Sequence, residues 1–178
     1  SVSTELPVPS AIGQGSNSFT AVGLTRYVAS IANSGTSYKL TLLDSVKDKE
    51  GNIIKSYEPQ VYNQITMPQN YWDSIHKGMR TVVQKKSYFN ELSVNVAGKT
   101  GTAEESEKRP NHALFVGYAP YESPEVAITA RIPYGYSSDY AAQVTKDVIA
   151  YYYDLVDEDD VVTGVADELE AGVSENEI

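Results

Sequence analysis

Apolar residues recur at helical spacing in three stretches of the chain. Leu24, Tyr27, Val28 and Ile31 fall at i, i+3, i+4 and i+7, the stripe of a single helix face. Thr20 stands where an N-cap is needed, and Asn33 and Gly35 follow the last turn. The pattern therefore predicts a helix from Thr20 to about Ala32. A second helix is predicted to start near Pro68, a residue suited to a first turn, with Tyr71, Trp72, Ile75, Met79, Val82 and Val83 as its buried face. A third covers about 139–156, capped by Ser138 or Asp139, with Ala141, Val144, Val148, Tyr151, Tyr152 and Leu155 on its inner stripe. The tyrosines can bury their rings and keep their hydroxyls wet.

Between these helices the pattern changes. YKLTLLDSV and NIIKSY, within residues 38–57, flank DKEG and predict two strands about a turn. Three more strands are predicted at 93–102, 112–120 and 125–132, the last two joined by a turn at YESP. Short links imply antiparallel neighbours. The order α-β-β-α-β-β-β-α predicts an α+β fold, an antiparallel sheet with helices packed on it.

Composition adds bounds. Hydrophobic residues make up 41% of the 178, enough for a core and of a length for one domain. There is no cysteine, which excludes disulfides, thiolate metal sites and a cysteine nucleophile. The net charge of -10 is unevenly placed: ten of the 24 acidic residues lie from Asp154 onward, where there is no Lys or Arg, leaving 14 against all 14 basic residues. The body thus has no basic excess for nucleic acid. Residues 1–156 are expected to form the folded part, opening on a Ser-, Pro- and Gly-rich loop at 1–18, and 157–178 an acidic tail, solvated and disordered apart from a short helix at 165–171. No apolar run approaches the roughly 18 residues of a membrane span, and no signal peptide is visible, so an anchor or export signal is expected outside this chain.

The candidate chemistry centres on VNVAGKTGTAEE, residues 94–105. A lysine among glycines and hydroxyls suits an anion. By itself, Lys99 in a K-T-G triplet reads as a solvated strand-end lysine. A phosphate loop of the form G-x-x-x-x-G-K-[ST] fits poorly: Ser93 stands where the first glycine belongs, and AEESEKRP offers no helix to supply a converging N-terminus. The third reading is a serine acyl-transfer site, with a substrate carboxylate held by Lys99 and the hydroxyls of Thr100 and Thr102. Alternation puts Thr100 and Thr102 on one face of a strand. Gly101 lets a substrate backbone lie close to the edge, as in strand addition, and the Thr102 N–H can point at a developing oxyanion.

VAGKTGTAE resembles the third motif of the penicillin-binding proteins, whose set is S-x-x-K, S-D-N and K-T-G. AIGQGSNSFTAVGLTRYVASIANSGT (11–36) resembles the IGQG segment and following helix of the class B members. WDSIHKGMRTVV (72–83), ALFVGYAP (113–120) and YAAQVTKDVI (140–149) resemble the helix before the K-T-G strand, the neighbouring strand and the closing helix. Similarity spans about residues 8–155, with the elongation-type subgroup fitting best. It implies part of a serine β-lactamase/D,D-peptidase-like fold and a peptidoglycan D,D-transpeptidase that cross-links stem peptides through an acyl-serine and binds β-lactams. It implies Lys99 and Thr102 as catalytic, and Lys99, Thr100, Gly101 and Thr102 as substrate-binding. It further implies no metal or organic cofactor, and a place on the outer face of a bacterial cell membrane through an N-terminal anchor. The alternative is a non-catalytic sensor module that uses the same clamp for penicillins or peptide termini. Ser87-Tyr88-Phe89 departs from the Gly-Thr-Ala often found after the second helix, which puts that loop's geometry in question.

The family's nucleophile has no convincing match. Ser74-Ile75-His76-Lys77 has the S-x-x-K form but sits on the predicted second helix, too close to Lys99. Ser93 and Asn95 are placed on the same predicted strand as Lys99, and four residues of strand span about 13 Å, so they cannot converge on one carbonyl with it. The nucleophile is expected on an N-terminal remainder of the same protein, and this chain alone is expected to be inert. Without the outer strands that the remainder would supply, the apolar faces of 113–118 and 126–132 are expected to lose cover, so that the chain pairs with that remainder or with itself. His76 and His112 lack metal spacing, although His112 could line a substrate rim; a polar strand-end residue is the simpler reading. Glu104 and Glu105 would point opposite ways on a strand, Trp72 and Ile75 read as core, and Gly13 and Gly15 as turn formers.

Overall fold

The computed structural model describes residues 19–103 and 109–162. The loop at 1–18 with Gly13 and Gly15, the pair Glu104 and Glu105, and the helix expected at 165–171 lie outside the described residues. Helix α1, Ala21–Ala32, begins at Thr20, whose Oγ1 accepts the Gly23 N–H at 3.0 Å. It ends where the Gly35 N–H donates to the Ser30 carbonyl at 2.7 Å, with Gly35 at φ 111°. A side chain at Gly35 would lie 2.2 Å from the Ile65 carbonyl oxygen, so glycine is required there on two counts.

The stretch read as one hairpin is two separate pairings. β2 (Ser45–Lys47) and β3 (Ile53–Ser56) form the hairpin, while β1 (Thr36–Tyr38) pairs with β4 (Val61–Gln64). The Asp48 carboxylate ties the turn, accepting from the backbone N–H groups of Glu50 and Asn52 and from the Asn52 amide. β4 has too few apolar positions to show period-two alternation, and the leucine run at 40–43 is not strand. Leu42 is fully exposed.

Helix α2, Gln69–Gln84, has Pro68 at its N-cap and buries Trp72, Met79 and Val83. Tyr71 and Ile75, expected inside, are exposed. A 3₁₀ helix at Ser87–Glu91 follows, with Phe89 buried against Phe115, ring centroids 5.8 Å apart. This is the geometry adopted by the departure at Ser87-Tyr88-Phe89.

Strands β5 (Ala97–Ala103), β6 (His112–Ala119) and β7 (Val126–Ile132) form one antiparallel sheet in that order, with Thr100 opposite Phe115 and Phe115 opposite Ala130. β5 starts later than expected, so Ser93 and Asn95 precede it rather than lie within it. Helix α3, Ser138–Tyr152, covers one face of the sheet. Its N-cap is Ser137, not Ser138 or Asp139; the Ser137 side chain accepts the Asp139 N–H. The inner face of α3 is Ala141, Ala142, Thr145, Ile149 and Ala150, and of the predicted stripe only Ala141 is buried. Alanines let helix and sheet backbones approach closely, which favours them over the larger Val and Tyr at the contact. The chain then turns at Asp154, and a short helix α4, Glu158–Val161, begins within the stretch read as tail.

The sheet separates two cores. On the α3 side, Phe115 packs with Val83, Phe89, Val96, Ala113, Ala142 and Ile149. On the other, Tyr118 and Ala97 pack with Val28 and Ala32 of α1 and Met79 of α2. Most of the loss of cover expected for 113–118 does not occur: Ala113, Phe115 and Tyr118 are at most 1% exposed, because α1, α2 and α3 sandwich β6, while Leu114 and Val116 are half-buried. β7 is half-buried along most of its length.

Candidate active site

β5 is the edge strand of its sheet. The direction of its backbone groups follows from three hydrogen bonds. The Asn95 carbonyl accepts the Tyr121 N–H from the β6 side. The Val96 carbonyl accepts Arg80 Nη1 at 2.9 Å from the other side, and the Thr100 carbonyl accepts Lys99 Nζ at 2.7 Å. Backbone groups alternate along a strand. Residues 97, 99, 101 and 103 therefore bond to β6, while Gly98, Thr100 and Thr102 present their N–H and C=O groups to the open edge.

Side chains alternate in the perpendicular sense. Thr100 and Thr102 share the face of Phe115 and Ala113; Lys99 and Gly101 share the face of Val116 and Leu114. Lys99 and Thr102 are exposed and Thr100 is half-buried. The ammonium and the hydroxyls thus belong to opposite faces and meet only at the edge, where Lys99 bends round to the Thr100 carbonyl. Gly98 is demanded by the fold, since a Cβ there would lie 2.2 Å from the Phe115 ring. At Gly101 the nearest atom, Leu114 Cβ, would be at an ordinary 3.6 Å, so the fold would accept alanine.

The other candidates are placed as follows. Ser74 is exposed on α2 and donates to the Asn70 carbonyl within its own helix. Asn95 joins Arg80 through its Oδ1 and Glu122 through its amide. His76 bridges helices, its Nε2 lying 2.7 Å from the Ile31 carbonyl oxygen, with Trp72 and Tyr118 beside its ring. His112 is buried at the start of β6, its Nδ1 accepting the Tyr134 N–H at 3.1 Å; the second nitrogen therefore carries the proton when the ring is neutral. Arg109 donates to the Tyr134 hydroxyl. Among the described residues no three His, Cys, Asp or Glu side chains group to hold a metal, and no helix is long and apolar enough to cross a membrane.

Two polar networks were not foreseen. One is Arg80–Asn95–Glu122 at the start of β5; a cation one position beyond Met79, on the border of the apolar stripe, was its only sequence signal. The other joins Lys86 and the Tyr88 hydroxyl to Asp139 Oδ1, tying the 3₁₀ segment to α3. Burial raises the Tyr88 pKa well above the usual phenol value, and the hydrogen bond to Asp139 adds to this. Burial acts to raise Asp139 as well, but the hydrogen bonds from Lys86 and Tyr88 outweigh it, leaving its pKa below the usual value.

Residues 7–150 match the family model of the penicillin binding protein transpeptidase domain. Penicillin-binding protein 2A of Bacillus subtilis is 30% identical over 172 residues, covering 84% of this chain and 24% of that protein. Peptidoglycan D,D-transpeptidase MrdA of Haemophilus influenzae is 30% identical over 163 residues, covering 79% of this chain and 25% of that protein. The chain thus spans about a quarter of the length of these relatives. Among solved structures, the imipenem acyl-enzyme complex of penicillin-binding protein A from M. tuberculosis superposes with a TM-score of 0.73 at 25% identity, over 82% of this chain and 33% of that one. Pseudomonas aeruginosa PBP2 in complex with WCK 5153 gives 0.64 at 30% identity, over 84% and 32%.

Proposed function

Since the chain belongs to the penicillin-binding protein transpeptidase family, of the class B kind, we propose that it carries the substrate clamp of a peptidoglycan D,D-transpeptidase whose nucleophile lies elsewhere in the parent protein. The observation that carries this reading is the edge of β5: outward N–H and C=O groups at Thr100 and Thr102, an exposed ammonium at Lys99, and a glycine between them that the fold does not need. An extended stem peptide pairs with those groups as an added strand. Lys99 and the Thr100 and Thr102 hydroxyls hold its terminal carboxylate.

The reaction is acyl transfer. The serine oxygen attacks the carbonyl of the penultimate residue, its proton passes to the leaving amine, and the C-terminal residue departs. An amine from a neighbouring strand then attacks the acyl-serine ester, forming the cross-link and returning the proton to serine. The Thr102 N–H donates to the oxyanion in both steps, a contribution of roughly 3–4 kcal/mol. β-Lactams acylate the same serine. The parent is held at the outer face of the membrane by a segment outside this chain.

The surface supports the need for a remainder. Among the described residues no strand pairs with the outer edge of β7, and the outer stripe of α3 exposes Val144, Val148, Tyr151 and Tyr152, with Leu155 exposed just beyond the helix. Fluorescent penicillin tests the proposal. The intact parent is expected to label covalently and the isolated chain is not. An intact parent that stays unlabelled at saturating probe sinks the transpeptidase reading, and labelling of the isolated chain at Ser74 sinks the placement of the nucleophile.

A further inference from the structure

β6 and β7 carry a single Lys, Arg, Asp or Glu between them, Arg131. It is also the one exposed residue of β7. Register places it beside Leu114 of β6, and Leu114 beside Gly101 of β5. Alternation puts this row on the sheet face that also carries Lys99. α1 covers part of that face and stops short of the row. Val28 and Ala32 pack with Ala97 and Tyr118, and the Thr25 hydroxyl donates to that of Thr129, two residues before Arg131. Leu114 is left half-buried, whereas Ala113 and Phe115 on the opposite face are buried.

The opposite face is full at this end of the sheet. The turn after β7 seats Gly135 so tightly that a Cβ there would lie 2.9 Å from the Cβ atoms of Ala113 and Ile132, and Ala113 stands opposite Thr102. Lys86 and Tyr88 close on Asp139 at the start of α3. Among the described residues, bare ground beside this end of β5 therefore lies on the Lys99 face. A serine carried by another segment reaches Thr102 over that face, and the segment that brings it covers Leu114 and, one strand spacing of about 5 Å further, Arg131. Covering an arginine sets a condition, because a guanidinium taken out of water without a partner is costly. Among the described residues no carboxylate forms an ion pair with Arg131, and the first turn of α1 has no acidic residue to offer.

We propose that Arg131 is the anchor for a carboxylate on the nucleophile-bearing remainder of the parent protein, an ion pair made when that part closes over the sheet. The inference rests on the reading of this chain as part of a transpeptidase site, and the chain spans 33% and 32% of the two solved relatives described above. The chemistry of the partner follows from charge and shape: an Asp or Glu side chain takes two parallel N–H bonds from the guanidinium fork. Arg131 lies about 10 Å from Gly101, two strand spacings back, and a peptide on the outer edge of β5 lies one spacing further out. It therefore grips the remainder and not the substrate.

The test uses the intact parent. Arg131→Met keeps much of the bulk and removes the charge. It is expected to lower the thermal midpoint by roughly 5 °C, because the facing carboxylate is left buried and unpaired, and to slow acylation by fluorescent penicillin. Arg131→Glu is expected to do more on both counts. Each Asp and Glu of the remainder is then changed in turn to Arg in the Arg131→Glu background, and one position is expected to recover most of the midpoint and of the acylation rate. An Arg131→Met midpoint equal to or above that of the wild type overturns the anchor, since a solvated arginine leaves no partner behind. A complete set of reversals without recovery overturns it as well. Should Arg131→Glu fail to fold, Arg131→Met decides, and folding regained in one reversal counts as recovery. Penicillin labelling of the wild type separates the two levels of inference. An unlabelled wild type removes the transpeptidase reading, and the midpoints still decide on the ion pair; a labelled wild type with an unmoved Arg131→Met midpoint removes the anchor alone.

Discussion

Two glycines three residues apart on one strand have different reasons to be glycine. A Cβ at Gly98 would enter the Phe115 ring and approach the Val116 carbonyl oxygen at 2.7 Å. Gly98→Ala is therefore expected to cost about 1–3 kcal/mol, as overpacking does, measured as a lower denaturation midpoint. Gly101→Ala has room, so its stability is expected to hold within about 0.5 kcal/mol, while acylation of the intact parent falls because the substrate backbone is pushed off the edge. A Gly101→Ala variant with full acylation would remove ligand approach as the reason for this glycine. At this scale the K-T-G stretch was legible, since its residue types and spacing are local. Its split between two faces followed from strand alternation, but the bend of Lys99 round the edge did not, because it depends on which backbone groups β6 leaves open.

At the scale of elements, what was legible depended on whether the deciding contact was local. The cap and bounds of α1, from Thr20 to Ala32, were legible because they lie in one short window, although Tyr27 of the predicted stripe is exposed. The inner face of α3 was misread because its contact is made of alanines, which a search for large apolar residues overlooks. β4 was missed because its partner β1 lies beyond an intervening hairpin. The tie between the 3₁₀ segment and α3 likewise joins residues more than fifty apart, Lys86 and Tyr88 to Asp139. Its pH dependence has a definite sign. Asp139 is held below its usual value of 3.8, so its contribution is present above that pH and is lost as pH falls through the lowered value. The carboxylate side chain is 42% exposed, so the effect is a few tenths of a kcal/mol. Tyr88 is held above its usual 10.0, so its contribution is complete below pH 10 and declines as pH rises beyond it. Burial, followed by the charge of Glu125, pushes Tyr153 up to about 12, which adds to the alkaline side. Denaturant melts between pH 3 and 11 are expected to show both declines, and Tyr88→Phe to soften the alkaline one; a flat profile above pH 10 would exclude the phenols as its source.

For the whole molecule, the α+β class was legible because helical and strand periods alternate cleanly along the chain. The location of the bare apolar surface was not, since it depends on which face of α3 meets the sheet. Among the described residues that surface lies on α3, on the leucines at 40–43, on β3 and β4 (Ile53, Ile54, Val61 and Tyr62) and on the outer faces of α1 and α2, not on β6. In isolation the chain is expected to self-associate through the α3 stripe, giving a gel-filtration mass above that of one copy. Val148→Lys together with Tyr151→Lys should restore the single-copy mass without lowering the unfolding free energy by more than about 0.5 kcal/mol, as exposed positions allow. A wild-type chain that elutes as one copy at all concentrations would show that the stripe needs no cover.

The alternation of backbone groups along β5 also gives the strand a built-in reporter. Amides of Lys99 and Gly101 face β6, whereas those of Thr100 and Thr102 face solvent. Before anything is bound, deuterium should enter the second pair much faster than the first. Occupancy by a peptide or a β-lactam should slow the threonine amides and leave the lysine and glycine amides nearly unaltered, an odd–even fingerprint of a seated ligand that requires no turnover to observe.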